Sequence, residues 1–190
     1  RAGRLAGGLR RLGVEPGDRV VVLMANCPEV GIAYEAIWRL GAVVTPAIFL
    51  LPPAELAHIV RDSGATVVLA TPELAENAED AAENARVVTT DAFSRLEQAD
   101  PAPIVLRSGS DPAALLYTGG TTGRAKGVLL SHENLWFAGK AWHDACHETA
   151  FPARDTTIPA DEPPHQCRHS PDPPPPWCAR HQDAATKDVE

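Results

Sequence analysis

The chain has 190 residues, 44% of them hydrophobic and 22% charged, with a net charge of −8. That apolar content is enough for a globular core, and the acidic balance without a Lys/Arg cluster excludes a nucleic-acid surface. No apolar run approaches the ~20 residues of a membrane helix and no signal peptide is visible, so a cytoplasmic protein with no membrane span is expected, holding one domain or part of a larger one.

Taken in order, residues 2–12 place Leu5, Leu9 and Leu12 at helical spacing, with Gly7 and Gly8 weakening the helix. The chain starts at Arg1, already inside that helix, as expected if processing or truncation removed the true start. A Gly/Pro turn at 13–18 leads into the apolar run 19–24, which predicts a strand buried on both faces. A helix over 29–40 follows, with Ile32, Ala36, Ile37 and Leu40 on one stripe and Gly41 in the place of a left-handed cap. Residues 42–48 read as a second strand, making a strand–helix–strand unit with parallel pairing.

The pattern then repeats. A helix over 52–62 stops at Ser63 and Gly64, and 66–70 is a third apolar strand. A helix starts at Thr71 and Pro72, 86–89 is a further strand, 91–98 a short helix, and 100–111 a connector. The acidic run Glu73, Glu76, Glu79, Asp80 and Glu83 has no basic partner in sequence and reads as a solvated face. The fold class is therefore α/β with a mostly parallel sheet and flanking helices.

From Thr149 onward there is no leucine and no glycine, yet this stretch holds half of the chain's 18 prolines. Such a composition cannot bury enough surface to offset its ordering entropy. Residues 149–190 are expected to be a disordered tail, and a shift this sharp is what translation out of frame gives.

The chemically pointed stretch is 117–128, YTGGTTGRAKGV. It combines Gly119, Gly120, Gly123 and Gly127 with Thr118, Thr121, Thr122 and Lys126. Apolar runs at 113–116 and 128–130 flank it, so it reads as a loop between two strands. Glycine lets several backbone N–H groups converge, threonine adds hydroxyls and lysine a compact positive charge, which together suit a polyphosphate. It is not a Walker loop, because Lys126 stands between Ala125 and Gly127 and a strand follows. Nor does it match the Gly-x-Gly-x-x-Gly dinucleotide pattern. The plain alternative is a flexible Gly-rich hairpin without a ligand, for which this residue set is excessive.

The other candidates are weaker. Cys167 with His169 and Cys178 with His181 are metal ligands by type, joined by His143, Cys146 and His147, but they lack the tight paired turns of a zinc module and no metal site is assigned. Four cysteines without regular spacing do not make a disulfide framework. Cys27 reads as a small apolar residue, and His132 as a structural residue at a helix start, with a substrate-side contact left open. Trp38 and Trp136 are expected in the core.

The stretch YTGGTTGRAKGVLLSHENL resembles the phosphate-binding loop of the adenylate-forming, or AMP-binding, superfamily, which includes acyl-CoA synthetases, fatty acyl-AMP ligases, luciferases and the adenylation domains of peptide synthetases. The matching positions are Tyr117, Thr118, Gly120, Thr121, Thr122, Gly123, Lys126, Gly127 and Val128, then Ser131, His132 and Asn134. The departures are Gly119, where Ser or Thr is usual, and Ala125, where Pro is usual; the first removes a hydroxyl and the second is expected to leave the loop freer. Upstream, residues 17–20, 26–29 and 41–46 are also similar to the family's N-terminal subdomain.

The resemblance implies a partial AMP-binding domain over 1–148, the N-terminal subdomain of the ligase fold, followed by the tail. It implies ATP-dependent activation of a small-molecule carboxylate, a fatty acid being the expected substrate, as an acyl-adenylate. Thioester formation with coenzyme A would follow, and Mg²⁺ would accompany ATP. It assigns Thr118, Gly119, Gly120, Thr121, Thr122, Gly123 and Lys126 to the ATP phosphates, with Lys126 the catalytic cation. Because the family's adenine contacts, metal-binding glutamate and closing lysine have no counterpart after Thr149, the chain by itself is expected to be inactive. Two alternatives stay open, a catalytically inactive fragment and a small nucleotide-binding module, and the oligomeric state is open as well.

Overall fold

Strand β1 (Arg19–Leu23) sets the architecture by alternation: Val20 and Val22 point into one apolar cluster, Val21 and Leu23 into another, and all four are buried. In this computed structural model residues 1–120 and 123–150 are described. The elements follow in order as α1 (Ala2–Arg11), β1, α2 (Pro28–Arg39), β2 (Val43–Ala47), α3 (Pro53–Ser63), β3 (Val67–Ala70), α4 (Ala75–Ala81), β4 (Arg86–Thr89), α5 (Phe93–Leu96), β5 (Pro112–Gly120), β6 (Gly123–Ser131) and α6 (His132–Ala150), with short 3-10 turns before α4 and α5. The elements expected up to residue 98 are all present, their ends shifted by one or two residues except for α4, which begins at Ala75 after a 3-10 turn at 72–74.

The strands form one sheet in the order β4-β3-β1-β2-β5-β6, parallel except for the β5–β6 pair. Helices α1, α2 and α5 cover one face, where Leu5, Leu9, Ile37 and Phe93 meet Val20, Val22, Val67 and Leu69. Helices α3 and α4 cover the other, where Leu56, Val60 and Ala78 meet Val21, Leu23 and Val68. Each fully buried Leu, Ile or Phe in these layers contributes about 1.5–3 kcal/mol of transfer free energy. Cys27 packs against the first cluster as a small apolar residue.

Two glycines close helices as expected. Gly64 (φ 61°) caps α3 in the left-handed region, and Gly41 (φ 70°) follows α2. Gly7 and Gly8 have a different reason to be in α1. A Cβ on Gly7 would lie 2.0 Å from the Asp100 carbonyl oxygen, and one on Gly8 would lie 2.6 Å from Leu96 Cβ. The pair lets α5 and the chain after it lie directly on the helix.

At the start of α6, Asn134 Oδ1 accepts from the Ser131 N–H (3.0 Å) and Ser131 Oγ accepts from the Asn134 N–H (3.2 Å). This reciprocal box satisfies otherwise unpaired donors and accounts for the Ser-x-x-Asn spacing.

Two expectations are corrected. Glu83 does have a basic partner: its Oε1 lies 2.9 Å from Arg61 Nη1, across a turn in which Glu83 adopts φ 46°. Trp136 is not core but 59% exposed, because among the described residues no layer covers its side of α6; Trp38, by contrast, packs against the first cluster. Helix α6 runs to Ala150. The predicted tail from residue 151 on, with Cys167, His169, Cys178 and His181, lies outside the described residues. The chain divides into two units, Arg1–Asp144 and Ala145–Glu190. No helix among the described residues is long and apolar enough to cross a membrane.

Replacing Gly7 by alanine sets a helix-propensity gain of about 1 kcal/mol against overpacking worth about 1–3 kcal/mol. Because the clash is with backbone, overpacking is expected to win, and the Gly7→Ala chain should melt below the wild type in a thermal scan followed by circular dichroism. Asn134→Ala should destabilise the chain by about 1 kcal/mol through the lost box, read as a shifted denaturant midpoint.

Candidate functional site: the β5–β6 hairpin

The glycine-rich stretch is not a loop between two strands but the end of a β-hairpin. Antiparallel pairing runs Leu116↔Val128, Tyr117↔Gly127 and Thr118↔Lys126, then shifts register before Gly120↔Gly123. Only Thr121 and Thr122 stand between the strands, and both lie outside the described residues. Threonine and glycine look like loop residues in sequence, but two facing strands let them exchange backbone hydrogen bonds, and the ladder extends into the motif. Paired N–H groups are not free for a ligand. Among the described residues this leaves the side chains and the backbone at the register shift around Gly119 as the parts open to a ligand.

The hairpin end stands apart from the rest of the sheet. Strand β2 runs parallel to β5 in the register Val44↔Ala114 and ends at Ala47, level with Tyr117, so from Thr118 on β5 has β6 alone as a strand partner. The base of β5 is tied to α2, where Trp38 Nε1 donates to the Ala113 carbonyl at 2.9 Å.

Alternation gives the hairpin two faces. Thr118 and Lys126 are directly opposed, share one face and are both exposed. The ammonium and a threonine hydroxyl thus sit together beside Gly119, which is also exposed and has nothing within 4 Å of where a Cβ would stand. The serine usual in the resembling family would fit there without a clash.

Tyr117, Ala125 and Gly127 share the other face, which is turned toward α3. Tyr117 Oη donates to Asp62 Oδ2 at 2.7 Å, and the Tyr117 ring meets His58 edge-on with centroids 6.3 Å apart. His58 Nε2 lies 3.1 Å from the Ala125 carbonyl oxygen; since a carbonyl only accepts, His58 carries a proton on Nε2. Burial, and then the hydrogen bond to Asp62, push the Tyr117 phenol well above its ordinary value, so it stays protonated and donating throughout the neutral range. Gly127 leaves room for the ring: a Cβ there would lie 3.0 Å from Leu115 Cδ1 and 3.4 Å from Tyr117 Cζ. Ala125 is buried in the strand, its carbonyl held from α3.

Sequence reasoning singled out the motif but not His58 or Asp62. Their signal is the i,i+4 spacing that puts both on one face of α3, between the buried Leu56, Ile59 and Val60. His132 opens α6, where its own N–H donates to the Asp111 carbonyl at 3.1 Å. Its Nε2 is buried without a hydrogen-bond partner, beside a shallow depression formed by Ser108, Gly109, Ser110, Glu133 and Trp136. Among the described residues no cluster of His, Cys, Asp and Glu is assembled that could hold a metal ion, and His143 lies 3.5 Å from its neighbour Asp144.

Comparison with known proteins fits this geometry. Residues 1–166 match the model of the family described as AMP-binding enzyme. The chain is 45% identical over 136 residues to a feruloyl-CoA synthase of Amycolatopsis, covering 71% of this chain and 27% of that one. Among solved structures, a Mycobacterium tuberculosis fatty acyl CoA synthetase superposes with a TM-score of 0.68 at 30% identity, covering 75% of this chain and 30% of that one. ATP-bound MatB from Rhodopseudomonas palustris gives the same TM-score, 0.68, at 30% identity over 75% and 30% of the two chains. The chain thus spans less than a third of the length of these relatives. The sheet order, the flanking helices and the hairpin sequence agree with what these comparisons show: the chain belongs to the AMP-binding enzyme family.

Proposed function

We propose that the β5–β6 hairpin binds the phosphates of ATP in a ligase that activates a carboxylic acid and transfers it to coenzyme A. The observation that carries this reading is the pairing of Thr118 with Lys126 on the exposed face of the hairpin, next to the glycines at its end. In the first step a carboxylate oxygen attacks the α-phosphorus of ATP and the bond to pyrophosphate breaks, giving an acyl-adenylate. In the second, the thiol sulfur attacks the acyl carbon and AMP leaves with the bonding electrons. Negative charge gathers on the departing pyrophosphate, so a preorganised cation and N–H or hydroxyl donors stabilise the transition state more than the ground state.

Lys126 supplies that cation at the β- and γ-phosphates. Thr118, Thr121 and Thr122 donate hydroxyl hydrogen bonds, Gly119 offers a backbone N–H at the register shift, and Gly120 and Gly123, without side chains, let the phosphate oxygens approach the backbone. N–H and ammonium groups suit phosphate oxygens and not a divalent cation, and the threonine hydroxyls hydrogen-bond phosphate oxygens or metal-bound water. Mg²⁺ is accordingly expected to arrive on the nucleotide, and no step is assigned to it. The acid is a fatty acid in the reading of the sequence, and the names of the relatives add an aryl acid such as ferulate. ATP and coenzyme A are charged, water-soluble reactants, which suits a cytoplasmic location.

Calorimetric titration of the chain with ATP·Mg²⁺ tests the phosphate reading. Lys126→Ala removes a charge-assisted contact worth about 1.5–3 kcal/mol, so the affinity should fall about 10- to 100-fold. Unchanged binding would remove Lys126 from the site. Gly119→Ser restores a donor without a clash and should bind ATP as tightly as the wild type or a few-fold tighter; a tenfold loss would show that the hairpin end holds the phosphate elsewhere. Pyrophosphate exchange with ferulate and with a long-chain fatty acid separates the two acids, and exchange with neither would favour the inactive fragment.

A further inference from the structure

We infer that His58 and Asp62 of α3 are positioning residues, a two-point clamp that fixes the hairpin so that Thr118 and Lys126 face outward together. The clamp reaches each strand once. Asp62 Oδ2 accepts from Tyr117 Oη on β5 at 2.7 Å, and His58 Nε2 donates to the Ala125 carbonyl on β6 at 3.1 Å. Each anchored residue is the immediate neighbour of a ligand-facing one, Tyr117 of Thr118 and Ala125 of Lys126. In a strand, holding a residue on one face fixes the direction of its neighbour on the other.

The hairpin needs such a hold because the sheet does not provide one. Strand β2 ends at Ala47, which the parallel Val44↔Ala114 register puts level with Tyr117, so from Thr118 on β5 has no strand on its second side, and an isolated two-stranded ribbon is marginally stable in water. Helix α3 replaces the missing strand with two side-chain contacts. The two clamp residues lie one helical turn apart, and the ring contact between His58 and Tyr117 links the two arms. Neither clamp residue touches a ligand in this arrangement; both act through the strand they hold.

The functional consequence rests on the phosphate reading above, while the clamp itself does not, so the experiment has two arms on the full chain. Amide hydrogen exchange is measured for wild type, Tyr117→Phe, Asp62→Ala, His58→Ala and the double variant Tyr117→Phe/Asp62→Ala. Protection at 117–119 and 123–127 should fall about 3- to 10-fold in each single variant, as for the loss of one hydrogen bond, with β1, β2 and β3 unchanged. The double variant should be no looser than either single, and Asp62→Asn, which keeps an acceptor, should restore most of the protection. Unchanged exchange in the hairpin, or equal loosening of β1 to β3, overturns the clamp. In the second arm, ATP·Mg²⁺ affinity should weaken about 3- to 10-fold in Tyr117→Phe and Asp62→Ala and recover in Asp62→Asn. Unchanged affinity in a loosened hairpin overturns the positioning role. A wild-type chain that binds no ATP retires the phosphate reading, and exchange alone then decides the clamp.

Discussion

The hairpin sits where the last turn of α3 puts it, and that turn is held by one side chain. Arg19, the first residue of the central strand β1, donates from Nε to the Ser63 carbonyl at 2.6 Å and from Nη2 to the Gly64 carbonyl at 3.2 Å. A guanidinium at a helix C-terminus satisfies carbonyls that have no partner within the helix and faces the negative end of its dipole. Gly64 makes the approach possible, since a Cβ there would lie 2.8 Å from Arg19 Nη2. The same residue position supplies the left-handed turn that ends the helix. From Arg19 the connection runs through the final turn of α3 to Asp62, from Asp62 to Tyr117, and so to the β5 end. A central strand of the sheet is thereby linked to the end of the hairpin.

That route gives the signature stretch a division of labour. Its outward residues, Thr118, Gly119 and Lys126, are available to a ligand, while its inward residues, Tyr117, Ala125 and Gly127, fit the hairpin against α3 and against one another. Small size is required on the inward side: Ala125 is buried, and Gly127 lets the Tyr117 ring and Leu115 lie close to the backbone. A motif that looks uniform in sequence therefore has an exposed set of residues and a set fixed by packing. Its downstream extension is different again, since Ser131 and Asn134 complete a helix box.

Much of the sheet could be read from the sequence because local signals there agree with tertiary ones. The apolar runs of β1 and β3 are buried on both faces, and Gly41 and Gly64 end their helices with the positive φ that only glycine adopts readily. The hairpin was misread because its pairing is a property of two segments together, and neither shows the alternating hydrophobicity of an isolated strand. Gly7 and Gly8 read as weak points in α1 when they are contact points, since residues 96 and 100 that press on them lie far along the chain. The Arg61–Glu83 ion pair and the His58 and Asp62 contacts were hidden for the same reason. Trp136 was misplaced because composition reports that a side chain is apolar, not whether a neighbouring layer covers it. The sequence picked out the residue set of the hairpin, but not which of those residues are exposed and which are turned toward α3.

Register is where the two parts meet. The side-chain period of a strand is two, so a one-residue slip of β6 against β5 would turn Lys126 toward α3 and send Ala125 outward. Glycine-rich strands specify register weakly, because they carry few side chains whose burial distinguishes one pairing from the next. The hairpin end has glycine at 119, 120, 123 and 127 and already contains one register shift. Backbone pairing alone would leave neighbouring registers close in energy. The Tyr117–Asp62 and His58–Ala125 contacts break that near-degeneracy, because a slipped strand would present neither a carbonyl to His58 at position 125 nor a small residue beneath the Tyr117 ring. The freedom that glycine gives the cradle is thus compatible with a fixed outward lysine only because the opposite face is held from the helix.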